Sequence, residues 1–272
     1  MRRAALSLLA LLAFDVAAVP PMIDAHAHYS GPDAAAFAPA EVIAKLDAAG
    51  VSRLVTTSSP PALAQTLYRH APERVIPLLG VYEADLHKAR WVHDASLPAR
   101  VAAQLDAGDW AGLGELHLFA ADARAPVFAQ LVQLAASRDL VLMLHGDAAV
   151  VERAFELAPG VRVLWAHLGT EPMPEKLDAM LARHPNLWID TSVRDARIAP
   201  GGVLLPSWRR LFESHPERFL VAVDTFSLNR WQQYAQVVAE IRRWVAPLPE
   251  PLKSRLLHDN AARLFDRFRP RP

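Results

Sequence analysis

Two hydrophobic periods alternate along the chain. Short apolar runs rich in β-branched residues occupy 22–25, 51–57, 74–81, 112–118, 140–144, 161–166, 187–191 and 219–223. Runs of this length bounded by turn residues predict buried strands. Between them lie stretches with apolar residues at helical spacing, over 39–49, 61–70, 98–105, 127–136, 148–157, 175–183 and 206–213. In the first of these Val42, Leu46 and Ala49 share a face, and Gly50 supplies a stop. His184-Pro185 and Ser214-His215-Pro216 close two later helices, because a residue before proline is pushed out of the helical region. Segment 82–97 carries neither period and reads as a long irregular loop. A helical tail starts near Arg230 and is broken by Pro247, Pro249 and Pro251.

Eight strands, each followed by a helical segment, predict a parallel sheet. Eight such units in about 250 residues predict a closed sheet. The expected fold is therefore α/β, a single (β/α)8 TIM barrel with distorted helices and a C-terminal helical tail. No linker or low-complexity segment divides it, so residues 19–272 form one domain.

Composition narrows the chemistry. The 272 residues are 52% hydrophobic and 21% charged, enough apolar material for a large core and too much for disorder. Basic and acidic residues balance at 29 each. No basic excess is available for phosphate backbones, so the expected partner is a small-molecule substrate, with no nucleic acid. The absence of cysteine removes disulfides, thiol nucleophiles and thiolate metal sites together. A metal here would be held by nitrogen and oxygen, which suits Zn²⁺, Mn²⁺ or Fe²⁺. At the N-terminus, Arg2 and Arg3 precede an apolar run over 4–14 and the small residues Ala17 and Ala18. That three-part pattern is a secretory signal peptide over 1–18, which places the mature chain in the periplasm or outside the cell. The run is too short to span a bilayer. The alternative is an extra N-terminal helix on a cytoplasmic protein.

The strand ends carry the candidate chemistry, since catalytic groups of such barrels sit at the C-terminal ends of strands. The first ends in Asp24-Ala25-His26-Ala27-His28. The fourth carries Gly114-Glu115-Leu116-His117, the fifth ends in Leu144-His145 and the sixth in Ala166-His167. The eighth ends in Val223-Asp224. Residues two apart on a strand face the same side, so His26 and His28 can bind one ion together. A lone His-x-His is a weak signal. Metal-capable groups at five independent strand ends are a strong one. His184 and His215 end helices, where a cation meets the helix dipole. His70 and His258 read as packing or surface residues, and His87 and His93 fall in the loop over 82–97.

These residues resemble the amidohydrolase superfamily, specifically its amidohydrolase 2 branch, over nearly the whole chain from Ile23 to Phe265. The resemblance rests on Asp24-Ala25-His26-Ala27-His28, Gly112-Leu113-Gly114-Glu115, Leu144-His145 and Trp165-Ala166-His167-Leu168-Gly169. Asp190-Thr191-Ser192, Val223-Asp224 and Asn260-Ala261-Ala262-Arg263-Leu264-Phe265 complete it. It implies that His26, His28 and Asp224 bind a first ion. In mononuclear members His145 joins them and the counterpart of His167 polarises the substrate. In binuclear members a fourth-strand group bridges two ions, with His145 and His167 on the second. Glu115 near that position, as in TatD-like nucleases, points to two ions; if it faces a helix, one ion remains. The expected cofactor is Zn²⁺, with Asp224 and His167 as catalytic groups. His117 shares the face of Glu115 and is a candidate substrate contact. Arg194 is a candidate anchor for a substrate anion, against a plain ion pair with Asp195.

The expected activity is hydrolysis of a small-molecule amide, lactone or ester. Decarboxylation by the same residues is the first alternative. The second is a non-catalytic periplasmic metal- or ligand-binding protein, which would need no base such as Asp224.

Overall fold

The computed structural model describes residues 21–268, so the signal peptide expected over 1–18 lies outside the described residues. Its eight strands are β1 (Met22–His28), β2 (Val51–Thr57), β3 (Val75–Leu79), β4 (Gly112–His117), β5 (Val141–His145), β6 (Arg162–Trp165), β7 (Leu187–Asp190) and β8 (Phe219–Leu220). Each pairs in parallel with the next in chain order. The last strand meets the first through Ala25 N–H to Val221 O (3.2 Å), Asp224 N–H to His26 O (2.8 Å) and Val223 N–H to the Asp24 carboxylate (2.9 Å). The structure is thus the expected (β/α)8 barrel. Its closing seam uses a side chain where a ladder bond would otherwise stand.

Two apolar layers follow from the period-two pattern. Ile23, Ala25, Val55, Ile76, Met143 and Leu220 fill the barrel, and Ala261, Leu264 and Phe265 of the C-terminal helix join them. Alternate strand residues, such as Leu54, Leu142 and Val163, pack outward against the helices. In two strands this alternation breaks where it matters for the site. The β1–β2 register slips between Asp24 and Ala27. Ile23 and Ala25 face the interior before the slip, while Ala27 and Tyr29 face the helix layer after it. Without that bulge, His26 and His28 would point at the helices; with it they point into the barrel mouth. The β4–β5 register slips in the same way between Leu113 and Leu116. Both leucines pack outward, which leaves Glu115 and His117 facing in.

Several elements differ from expectation. Segment 82–97 is not irregular: it holds short 3-10 turns at Asp85–Ala89 and Trp91–His93 before the helix Leu97–Ala107. It is pinned by Trp91 Nε1–H to His117 O (2.8 Å) and His117 N–H to the Tyr82 hydroxyl (2.7 Å). Short helices at Gly31–Ala36 and Asp195–Ile198 are added in loops above the barrel. β8 is two residues long rather than five, because the chain beyond Leu220 turns its N–H groups to Leu256 O, Asp24 and His26 O instead of to β7. The tail runs as Leu228–Gln232 and Tyr234–Val245, then a helix containing one π-turn that ends at Leu264. Among the described residues no helix is long and apolar enough to cross a membrane.

Candidate metal centre

The strand ends bring His26, His28, Glu115, His145, His167 and Asp224 to one point at the barrel mouth. His26 Nε2 lies 3.3 Å from His28 Nε2, 3.7 Å from Glu115 Oε2 and 3.8 Å from Asp224 Oδ1. His28 Nε2 lies 3.4 Å from each of the same two oxygens. On the other oxygen of Glu115, Oε1 stands 2.9 Å from His145 Nδ1 and 3.1 Å from His167 Nε2. Side chains at the centre are almost fully buried, and the cluster opens toward His117 and His145.

Hydrogen bonds behind the cluster decide which nitrogens carry protons. Asp190 Oδ2 accepts from His26 Nδ1 at 3.1 Å. Ser192 Oγ donates to Asp190 Oδ1, so its lone pairs are left to accept from His167 Nδ1 at 2.8 Å. Asp190 Oδ1 also accepts from the His167 and Ser192 N–H groups. In their neutral forms His26 and His167 therefore keep their protons on Nδ1 and aim an Nε2 lone pair at the Glu115 carboxylate. Lone pair facing lone pair at 3.1–3.7 Å is repulsive unless a cation lies between.

The electrostatics carry the same demand. Burial pushes His26 down, but Asp224, Glu115 and Asp190 together raise it well above its ordinary range. Burial likewise pushes Glu115 up, and is overcome by the charge of His26 and by its close contacts with His117, His145 and His167, which hold it well below the usual carboxylate range. Asp224 Oδ1 is buried and has no hydrogen-bond partner. A buried carboxylate oxygen left unbonded is costly. The donor set fits a divalent ion: bonds of 2.0–2.1 Å in a tetrahedron put ligand atoms about 3.3–3.4 Å apart, close to the separations around His26 and His28.

The local backbone is shaped to present these groups. His167 (φ 62°), Leu168 (φ 57°) and Asp224 (φ 57°) occupy the left-handed region, which for non-glycine residues costs on the order of 1–3 kcal/mol each and recurs at functional sites. Gly114, at φ 135°, has no room for a side chain: a Cβ would lie 2.4 Å from Met143 O. Asp24, two residues before His26, accepts from Val223 N–H, Tyr234 Oη–H and His26 N–H. Burial nevertheless raises it to about 7.

Other candidates fall elsewhere. His117 Nε2 hydrogen-bonds Glu115 Oε2 at 2.7 Å, and its ring stacks on His145 with centroids 4.1 Å apart. It thus touches the Glu115 carboxylate. Arg194 is turned away from an anchoring role: its guanidinium donates to the carbonyls of His167 (2.9 Å) and Gly169 (3.3 Å), bracing the left-handed turn. Nor does Arg194 pair with Asp195, whose carboxylate accepts from Trp244 Nε1–H at 2.8 Å. His87 lines a surface cleft with Glu83, Arg90 and Asp94. His184 and His215 cap helices and pair with Glu152 and Asp178. Asp190 and Ser192, which set the tautomers, were not among the expected ligands. Asp190 does end an apolar strand, as the other site residues do.

Comparison with known proteins gives the family and the barrel. A family model described as amidohydrolase matches residues 23–267. The chain belongs to the amidohydrolase family. No curated protein matches it, but solved structures do. A zinc-bound amidohydrolase from Burkholderia multivorans superposes with a TM-score of 0.59 at 15% identity, covering 90% of this chain and 99% of that one. A probable 2-pyrone-4,6-dicarboxylic acid hydrolase from Acinetobacter baumannii, with citric acid bound, gives 0.60 at 15% identity, with 90% and 99% covered. A TatD homologue from Escherichia coli gives 0.56 at 16% identity, with 90% and 98% covered. At such identities these structures speak to the barrel alone. Family membership makes the chain an amidohydrolase-type enzyme, and its His, Glu and Asp cluster can hold a divalent metal.

Proposed function

We propose that this amidohydrolase hydrolyses a small-molecule amide, lactone or ester with two divalent ions, Zn²⁺ first among them. The observation that carries this reading is Glu115. Its two carboxylate oxygens face two separate groups of ligands, His26, His28 and Asp224 on one side and His145 and His167 on the other. The first group would hold one ion and the second its neighbour. When bound, such ions polarise the scissile carbonyl and lower the pKa of a water from about 16 to about 7.

The remaining work falls to the chain. Asp224 is the base positioned at the rim: it takes the proton of the attacking water and returns it to the leaving group. Asp190 and Ser192 hold His26 and His167 in the tautomers that leave Nε2 free. His117 steadies the Glu115 carboxylate. Burial of His26, Glu115 and Asp190 keeps bulk water from competing with the substrate. The zinc in the Burkholderia multivorans neighbour makes Zn²⁺ the first ion to try, while the nitrogen and oxygen ligands here also suit Mn²⁺ or Fe²⁺.

The test is elemental analysis of bound metal in the wild type and in Glu115→Gln. About two ions per chain are expected, falling toward one in the variant. One ion in both would take Glu115 out of the ligand set and put decarboxylation level with hydrolysis. No tightly bound ion in either would overturn the reading.

A further inference from the structure

Among the described residues, the exposed large hydrophobic side chains are Phe119, Met173, Val203, Leu205 and Phe226. All five lie in loops that follow β4, β6, β7 or β8, so all are on the face that bears the cluster. A single exposed apolar residue needs no explanation, but their confinement to one end of a barrel does. Phe119 is the one tied directly to the cluster. It stands two residues beyond His117, and its ring meets that of His145 edge-on with centroids 6.4 Å apart. The cluster is open on this side: the His117 and His145 side chains are 23% and 28% exposed, against 2% for Glu115 and none for His26. A molecule approaching Glu115 from solvent thus runs along the stacked His117–His145 pair, beside a phenylalanine ring that is half in water. Phe226, two residues beyond Asp224, is 62% exposed across the same mouth.

We propose that Phe119 is a specificity-determining residue that binds an uncharged aromatic or aliphatic group next to the reacting carbonyl. The substrates are then aryl- or alkyl-substituted lactones, esters or amides, a statement that rests on the hydrolase reading. An aromatic ring takes the Phe119 face or edge out of water and packs on the imidazole pair, the offset and edge-on contacts such rings favour. The nearest competitor is recognition of an anion by Lys88, which lies over the Tyr82 ring at 6.0 Å, Tyr82 being hydrogen-bonded to His117.

The experiment uses the full, zinc-loaded chain and three probes: dihydrocoumarin, γ-butyrolactone and 2-pyrone-4,6-dicarboxylate. In Phe119→Ala the ratio of kcat/KM for dihydrocoumarin over γ-butyrolactone is expected to fall about tenfold or more, mostly through KM. Phe119→Tyr is expected to restore most of it, which a merely structural role would not require. An unchanged ratio in Phe119→Ala overturns the proposal. So does a preference for the dicarboxylate that Lys88→Ala abolishes. If the wild type cleaves none of the three, lactones of these kinds drop out of the hydrolase reading, a failure separate from that of Phe119. The proposal is then decided by ligand-observed NMR: binding of dihydrocoumarin that is lost in Phe119→Ala upholds it. Equal binding, or none to the wild type, overturns it.

Discussion

His26 and His167 can offer an Nε2 lone pair because other side chains accept hydrogen bonds from their Nδ1–H groups. Asp190 receives His26 Nδ1–H on one oxygen and three donors around the His167 loop on the other. Asn in its place must turn an NH₂ toward one of those two sets. Asp190→Asn is therefore expected to weaken metal binding about 10- to 100-fold, read by competition with a chelator. Six of the groups that meet at the mouth were legible in the sequence, because His145, His167 and Asp224 close apolar runs, while His26 and His28 form a His-x-His pair and Glu115 interrupts the fourth run. Asp190 was visible in the same way, yet its role depends on which nitrogen it faces, and that is set by folding. Arg194 shows the opposite case: its charge suggests a substrate, and the structure spends it on two carbonyls. Away from the site, burial raises Asp195 to about 6, with only Trp244 donating to it from a side chain. A raised folded value favours the protonated form. The stability this confers is complete below the unfolded value near 3.9 and is lost as pH rises through 6. The difference is worth up to roughly 3 kcal/mol. Asp195→Asn keeps an acceptor for Trp244 and never ionises. Its Tm should exceed that of the wild type by a few degrees at pH 8, with the gap closing by pH 4.

Strands and helices were legible where the hydrophobic period is clean, as in β2, β5 and the helix Pro39–Ala49. The bulges in β1 and β4 were not. A one-residue slip leaves composition untouched while exchanging the two faces of a strand. Both bulges fall at positions of the cluster, so the deviation from regular pleating is what delivers His26, His28 and Glu115. Segment 82–97 escaped for a different reason. Its 3-10 turns are held by Trp91 and Tyr82 against β4, contacts between residues 26 and 35 apart in the chain. The β4 bend also has a steric requirement. In Gly114→Ala the new Cβ would meet Met143 O at 2.4 Å and Met143 Cβ at 2.9 Å, with φ at 135°. This variant should lose about 3 kcal/mol or more in urea unfolding, or fail to fold. Gly160, where nothing lies within 4 Å of an added Cβ, is the control: Gly160→Ala should stay within about 0.5 kcal/mol.

For the molecule as a whole, the barrel closes at the β1–β8 seam by few backbone bonds, and the cluster sits across it. His26 and His28 come from one side, and Asp224 from the other. An ion bound by the folded chain and not by the unfolded one stabilises by RT ln(1 + [L]/Kd), about 4 kcal/mol at a thousandfold excess over Kd. Removing it with a chelator at pH 7.5 should lower Tm by roughly 8–16 °C for a barrel of this size. In hydrogen exchange the amides of Ala25 and Asp224 should lose protection before those of β5 and β6. An unchanged Tm would mean that the cluster holds no ion at rest. The seam also sets a timetable. His26 and Asp224 lie nearly two hundred residues apart, the first made early in synthesis and the second only with the eighth strand. A chain still on the ribosome lacks the last member of the set until most of the barrel exists. The group of His26, His28 and Asp224 is therefore assembled only when the eighth strand joins the first, so an ion held there would report closure of the barrel rather than the presence of its parts.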